Sequence, residues 1–118
     1  MEIASDTMGD VVVVEMPVEE LDASNAADFK RDIAPLLEAN SRLVFDLSRL
    51  RFVDSSGLGA FVSCLRNLQA KGGDLKLSGM SQPVRAVFEL VRMHRVFDIY
   101  STKEEAVQAL AARKRGGA

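Results

Sequence analysis

One segment of the sequence carries most of the information about its architecture: Phe45-Asp46-Leu47-Ser48-Arg49-Leu50-Arg51-Phe52-Val53-Asp54-Ser55-Ser56-Gly57-Leu58-Gly59. The segment 42–47, Arg-Leu-Val-Phe-Asp-Leu, predicts a buried strand with Asp46 near its carboxyl end. From Leu58 onward, apolar residues recur three or four apart, which predicts a helix that ends at 71–73, Lys-Gly-Gly. The segment is therefore a strand, a short polar loop and a helix, a unit typical of α/β proteins.

Towards the N-terminus, residues 2–8 and 11–16 predict a hairpin with its turn at Gly9-Asp10. Four consecutive valines, 11–14, are β-branched and indicate a strand buried on both faces. An apolar stripe between Ala26 and Leu37 then predicts a helix, with Asp22 or Ser24 as its cap. Pro35 is expected to kink that helix or end it early.

Towards the C-terminus, the sequence predicts a strand at 74–77, a helix capped by Ser81 and a strand at 97–100. A final helix opens at Ser101 or Thr102, where Thr102 and Glu105 have the spacing of a capping box. The predicted order is β-β-α-β-α-β-α-β-α. It corresponds to an α/β fold with a mixed, mostly parallel sheet, an N-terminal hairpin and about four helices. We expect one domain over 1–112 and a flexible basic tail over 113–118.

The composition bounds the possible functions. The 118 residues are 47% hydrophobic and 27% charged, with a net charge of −2, which does not suggest a nucleic-acid-binding surface. No apolar run is long enough to cross a bilayer, and the first residues are acidic where a signal peptide would be basic. The single cysteine, Cys64, excludes an internal disulfide and fits a reducing compartment. We expect a cytoplasmic protein that binds neither nucleic acid nor membrane.

The most informative chemistry lies at the junction of loop and helix, 54–59. Ser55 and Ser56 stand just before the predicted helix, whose first amides lack partners and favour an anion such as phosphate. Phosphoserine carries about −1.5 to −2 charges, so next to Asp54 it would change the local field sharply. Asp22 is expected at the same sheet edge. Such an arrangement suits a binding switch better than catalysis.

The same residues also have a purely structural explanation. Serine or aspartate before a helix is most often a cap, which applies to both Asp54 and Asp22. Gly57 and Gly59 either let another protein's backbone approach or allow the helix to pack closely against a strand of the same chain. The local pattern leaves both explanations open.

Enzyme activity is the competing class of function. A serine nucleophile needs a neighbouring base, and the chain offers only His94, after a predicted helix. The sequence has no Gly-x-Ser-x-Gly elbow, no phosphate-binding loop and no metal-ligand spacing. Cys64 falls near an apolar stripe and is expected to be a small packed residue. We therefore expect no catalytic activity, no metal and no cofactor.

The segment 45–59 closely resembles the signature of STAS domains, and most of all that of the bacterial anti-sigma factor antagonists. Glu20-Leu21-Asp22-Ala23 resembles the loop between their second strand and first helix. The spacing of these two segments and the order of elements match the family over nearly the whole chain. A fifteen-residue signature with a second matching loop is a specific signal.

The resemblance implies a mechanism. In this family the unmodified antagonist binds an anti-sigma factor that is itself a serine kinase, and thereby frees the sigma factor. The kinase phosphorylates the residue matching Ser55, the complex dissociates, and a metal-dependent serine/threonine phosphatase resets the protein. The resemblance also implies a partner-binding edge of Asp22, Asp54, Ser55, Ser56, Gly57, Leu58 and Gly59, in which Ser56 has a supporting role.

Two further expectations concern assembly. The family also contains STAS modules that dock without switching in stressosome-like or lipid-transport complexes, and this is the alternative function. The chain itself is expected to be a monomer or a weak dimer.

Overall fold

A computed structural model describes the backbone of residues 1–116 and the side chains of residues 1–111. The strands are β1 (Ala4–Met8), β2 (Val11–Glu15), β3 (Glu20–Leu21), β4 (Arg42–Asp46), β5 (Phe52–Val53), β6 (Asp74–Ser78) and β7 (Ile99–Tyr100). The helices are α1 (Ala26–Ala39), α2 (Ser55–Ala70), α3 (Gln82–Leu90) and α4 (Lys103–Gly116), with a short 3₁₀ helix at Met93–Arg95. The basic tail predicted over 113–118 lies outside the residues with described side chains and stays a prediction.

Five strands form the main sheet in the order β1-β2-β4-β6-β7. β1 and β2 pair antiparallel, whereas β2, β4, β6 and β7 pair parallel to their neighbours. The hairpin between β1 and β2 turns at Gly9, whose φ of +68° is a conformation that glycine adopts without steric cost. The mostly parallel sheet with an N-terminal hairpin is therefore confirmed.

Helices cover both faces of this sheet. Successive side chains of a strand point to opposite faces, so each strand contributes residues to both helix layers. Val12 and Val14 of β2 belong to the main core, which the sheet forms with α1, α2 and α3. Val11 and Val13 belong to a smaller cluster with Ala106 of α4. The prediction that the valine strand is buried on both faces is confirmed.

Three phenylalanines from three elements meet at the centre of the main core. The ring centroids of Phe29 in α1 and Phe45 in β4 are 5.8 Å apart, and that of Phe61 in α2 lies 6.1 Å from Phe29 and 5.8 Å from Phe45. Aromatic pairs at these distances add to the energy gained from burial alone. They fix α2 against α1 and β4, and so determine where the first turn of α2 lies.

Two predictions about α1 are wrong. The helix continues through Pro35 to Ala39, because Pro35 lies on its exposed side while Ile33 and Leu37 keep the inner face packed. Proline removes only one backbone donor, and on the solvent side water can satisfy the freed carbonyl. The cap residue is Asn25, and neither Asp22 nor Ser24 occupies that position.

Two very short strands were not predicted. β3 and β5 pair in parallel as a separate two-stranded sheet, with Glu20 opposite Phe52 and Leu21 opposite Val53. Each has only two residues, too few for an alternating pattern to be visible in the sequence. Their pairing matters because it joins the two loops that contain the predicted site.

Candidate functional site

The β3–β5 pair brings Asp22 and Asp54 to the same edge of the molecule. Both strands run in the same direction, and each aspartate directly follows the carboxyl end of its strand. The backbone amide of Asp54 donates a hydrogen bond to the carbonyl oxygen of Leu21, 3.3 Å away. The prediction that the two aspartates share an edge is consistent with this geometry.

Asp54 connects the two loops through its side chain. Its Oδ1 accepts a hydrogen bond from the amide of Gly57 at 3.0 Å, which makes Asp54 the N-cap of α2. Its Oδ2 accepts a hydrogen bond from the amide of Ala23 at 3.1 Å. Both oxygens of the carboxylate are therefore engaged within the chain, and Asp54 fixes the start of α2 relative to the loop after β3.

Asp22 organises its own loop. Its Oδ1 accepts hydrogen bonds from the amide of Ser24 at 2.9 Å and from the Ser24 hydroxyl at 2.5 Å. These hydrogen bonds stabilise the ionised form and lower the pKa of Asp22 below its usual value of 3.8. Asp22 is half-buried, and it adds a negative charge to the edge that Asp54 occupies.

The two serines lie inside α2, whereas the sequence placed both just before the helix. Ser55 is the first residue of the helix and Ser56 the second, because the cap position belongs to Asp54. Ser55 is exposed, whereas Ser56 is half-buried. The amides of both lie in the first turn, where a helix offers no internal acceptor. The exposed Ser55 side chain thus lies beside backbone donors that suit an anion.

Gly57 and Leu58 do not belong to the exposed part of the predicted partner-binding edge. Both are buried, and a Cβ added at Gly57 would lie 2.5 Å from the carbonyl oxygen of Leu21 and 2.6 Å from Cγ2 of Val53. Gly57 therefore allows α2 to approach β3 and β5 of its own chain. Gly59 is exposed, and a Cβ there would meet nothing within 4 Å. The two glycines have different roles.

One exposed aromatic residue at this edge was missed by the sequence analysis. Phe52 in β5 is 47% exposed, whereas its neighbour Val53 is buried. Phe52 pairs with Glu20 and lies three residues before Ser55. The alternation of an outward Phe52 and an inward Val53 was the available signal, but the strand was too short to reveal it.

The remaining predictions about reactive residues concern His94, Cys64 and metal ligands. His94 is exposed on the 3₁₀ helix, as expected for a surface residue. Cys64 is only 2% exposed, and burial raises the pKa of its thiol to about 12, as expected for a packed side chain. Within the described side chains, no three acidic, histidine or cysteine residues converge as a metal site. No described helix has the length and apolarity to span a membrane.

Comparison with known proteins finds a matching family model and relatives of similar sequence over most of the chain. A family model described as STAS domain matches residues 2–106. The anti-sigma-B factor antagonist of Bacillus subtilis (strain 168) is 30% identical over 89 residues, which cover 75% of this chain and 82% of that protein. The match thus extends over most of both proteins.

Solved structures agree with this assignment. The crystal structure of a candidate anti-sigma factor antagonist from Thermotoga maritima has a TM-score of 0.84 at 29% identity, covering 92% of this chain and 94% of that one. The Bacillus cell fate determinant SpoIIAA in its phosphorylated form has a TM-score of 0.67 at 25% identity, covering 92% of this chain and 98% of that one. The predicted fold class is confirmed by both.

Proposed function

This chain belongs to the STAS domain family, and from that premise we propose that it is an anti-sigma factor antagonist switched by phosphorylation of Ser55. In the unmodified state it binds an anti-sigma factor that is a serine kinase, and the sigma factor is released. The kinase modifies Ser55 and the complex dissociates. A metal-dependent serine/threonine phosphatase then restores the binding form.

The observation that carries this proposal is the position of Ser55. Its exposed side chain begins α2, directly after a capping aspartate whose two oxygens are both held by backbone amides. A kinase can therefore reach the hydroxyl without unfolding the loop. The surrounding backbone is fixed, so modification changes the charge of a defined surface rather than the conformation of a mobile segment.

The charge change is large for this surface. A phosphate adds about −1.5 to −2 charges near Asp54 and Asp22, and the exposed Glu19 and Glu20 lie on the adjoining strand and loop. The first-turn amides of α2 and the positive end of its dipole stabilise the added phosphate within the domain. The fold is therefore retained, while an acidic partner surface or a close backbone contact is rejected.

Phe52 supplies the apolar part of the proposed docking edge. Interfaces are enriched in aromatic side chains, which bury a large area for little loss of conformational entropy. Phe52 is the exposed large apolar side chain on the strand leading to Ser55. We define the docking edge as Asp22, Phe52, Ser55, Ser56 and Gly59, with Asp54 and Gly57 supporting it from within.

The first test is the intact mass of the protein after incubation with ATP and each anti-sigma kinase from the same genome. We expect a gain of one phosphate that maps to Ser55 and is lost in Ser55→Ala. Ser63→Ala is the matched control, because Ser63 is also an exposed serine of α2. Phosphorylation of Ser63 or Ser56 in place of Ser55 would contradict the assigned position.

The second test is the affinity for the kinase that modifies the protein. Ser55→Asp is expected to weaken the complex at least about tenfold, while Ser63→Asp changes it less than about twofold. Equal affinity of the wild type and Ser55→Asp would count against a switch based on charge. Tight binding to a partner without phosphorylation by any kinase would instead favour a STAS module that docks permanently.

A further inference from the structure

The two sides of the short strand β3 bind different partners. On the side of β5, the Glu19 carbonyl accepts a hydrogen bond from the amide of Phe52 at 3.2 Å. The Leu21 carbonyl accepts one from the amide of Asp54 at 3.3 Å on the same side. Successive carbonyls of an extended strand point in opposite directions, so that of Glu20 faces away from β5 and needs a partner of its own.

The side chain of Asn25 provides that partner. Its Nδ2 donates a hydrogen bond to the Glu20 carbonyl at 2.8 Å, and its Oδ1 accepts one from the Asp22 amide at 2.9 Å. A carboxamide carries a donor and an acceptor side by side, so it binds the outer edge of β3 as a neighbouring strand would. We call these two hydrogen bonds the Asn25 clamp.

Asn25 spends its side chain on this loop rather than on its own helix. It occupies the N-cap position of α1, where a side-chain oxygen ordinarily accepts a hydrogen bond from an amide of the first turn. Here Oδ1 accepts from Asp22 instead, outside the helix. Serine or aspartate at this position would cap α1 equally well. The stability of α1 alone therefore does not account for the asparagine.

Leu21 lies between the Asn25 clamp and the start of α2. Its side chain is fully buried, and a Cβ added at Gly57 would lie 2.5 Å from its carbonyl oxygen. The clamp binds the peptide groups on either side of Leu21, so β3 moves away from α2 only if these hydrogen bonds break. The clamp thereby holds Asp22, on the loop, in register with Ser55, on the helix.

We propose that Asn25 is a positioning residue of the docking edge, which holds the loop 20–24 in the shape that the anti-sigma kinase recognises. This rests on the proposed function, because it adds a residue to the same docking surface. Asn25 acts through the backbone of Asp22, and a loop that is held before binding loses less conformational entropy when the kinase docks. Since the outer edge of β3 is already paired, the kinase reads the side chains of this loop and adds no strand to it.

The test is steady-state phosphorylation of Ser55 in the full chain by the anti-sigma kinase that modifies the wild type. In Asn25→Ser the hydroxyl retains the capacity to cap α1 but is too short to bind both Glu20 and Asp22. We expect KM to rise at least about fivefold and kcat to stay within about twofold, because docking is weakened and the transfer step is unchanged.

Asn40→Ser is the matched control. Asn40 is a half-buried asparagine at the other end of α1, and its Nδ2 donates a hydrogen bond to the Leu36 carbonyl at 3.0 Å. The substitution removes a hydrogen bond of the same kind far along the helix from the docking edge, so KM is expected to stay within about twofold of the wild type. An equal rise of KM in both variants would assign the effect to the stability of α1 and overturn the proposal.

Asn25→Asp tests the donor alone. Its shape is that of asparagine and it caps helices well, but a carboxylate oxygen then faces the Glu20 carbonyl, where two acceptors repel. We expect KM to rise at least about fivefold here as well. Ala27→Asp adds the same charge at an exposed position of the first turn of α1 and measures the effect of charge. An equal KM in the two aspartate variants would contradict a role of the donor and overturn the proposal.

Amide hydrogen exchange tests the clamp without the kinase. In Asn25→Ser the Asp22 amide loses its acceptor, and we expect it to exchange at least about tenfold faster than in the wild type and in Asn40→Ser. An unchanged exchange rate would overturn the proposal. Faster exchange with an unchanged KM would also overturn it and leave the proposed function intact. A wild-type chain that no anti-sigma kinase modifies at Ser55 would overturn the proposed function, and this proposal with it.

Discussion

The carboxylate of Asp54 accepts a hydrogen bond from the backbone amide of Ala23, which lies 31 residues earlier in the chain. The other oxygen of the same carboxylate caps α2 through Gly57. One side chain therefore fixes both loops of the docking edge and the first turn in which Ser55 lies. The acidic residue beside the proposed phosphorylation site has a structural task as well as a charge.

Replacing Asp54 tests this double role. Asp54→Ala removes both acceptors, and we expect it to lower the free energy of unfolding by about 1–2 kcal/mol. Asp54→Asn keeps one amide oxygen as an acceptor but cannot accept from Gly57 and Ala23 together, so its loss of stability is expected to be smaller. Urea unfolding measures the free energy of unfolding of both variants. Unchanged stability in Asp54→Ala would mean that the two hydrogen bonds contribute nothing net.

The two glycines of α2 form a matched pair. In Gly57→Ala the new Cβ meets the Leu21 carbonyl and Val53, so α2 must move, and we expect a loss of about 2–3 kcal/mol. In Gly59→Ala the Cβ enters open space, and the higher helix propensity of alanine is expected to add about 0.5–1 kcal/mol. Thermal unfolding of both variants checks the opposite signs. Equal effects would contradict the close approach at Gly57.

Phe52 is expected to matter for binding and little for folding. Because its side chain is 47% exposed, Phe52→Ala is expected to cost less than about 1 kcal/mol of stability. Its affinity for the anti-sigma kinase is expected to fall at least about tenfold. Val53→Ala, at the buried neighbouring residue, is expected to lower stability more than it lowers affinity for the kinase. Full affinity of Phe52→Ala, measured by calorimetry, would remove Phe52 from the docking edge.

The pH dependence of the Asp22 loop follows from its lowered pKa. A carboxyl whose pKa is lower in the folded state stabilises the fold above its unfolded pKa of 3.8, and this contribution is lost as the pH falls through the folded pKa. Ser24→Ala removes the hydroxyl donor and is expected to raise the pKa of Asp22. An NMR titration of the Asp22 carboxyl, with Ser63→Ala as control, measures this shift. An unchanged pKa of Asp22 would exclude the Ser24 hydroxyl as a cause of the lowered pKa.

Cys64 is expected to be unreactive in the folded protein. Its pKa of about 12 leaves so little thiolate at pH 8 that alkylation is expected to be about 10³-fold slower than in the unfolded chain. Its 2% exposure adds a steric barrier in the same direction. Labelling with iodoacetamide, with and without denaturant, gives the ratio of the two alkylation rates. Rapid labelling of the native protein would contradict the packed position.

Sequence patterns were reliable where an element is long and amphipathic. The stripe from Leu58 to Leu68 identified α2, and the valine run identified a strand buried on both faces. The predicted kink or early end of α1 at Pro35 was wrong, because the effect of proline was judged for an isolated helix. The packing of the buried face of α1 holds the helix together past Pro35. The sequence placed Ser55 before α2, whereas it is the first residue of the helix, since residues of the cap and of the first turn have similar preferences.

The sequence by itself determined the order of the longer elements and the family, because hydrophobic periodicity and a long signature depend on neighbouring residues only. The tertiary structure alone decided which residues meet: the pairing of β3 with β5, the bond from Ala23 to Asp54, the burial of Gly57 and the exposure of Phe52. The first three of these join segments that lie more than 30 residues apart in the chain. Such contacts are set by the packing of the whole core, which no local pattern contains.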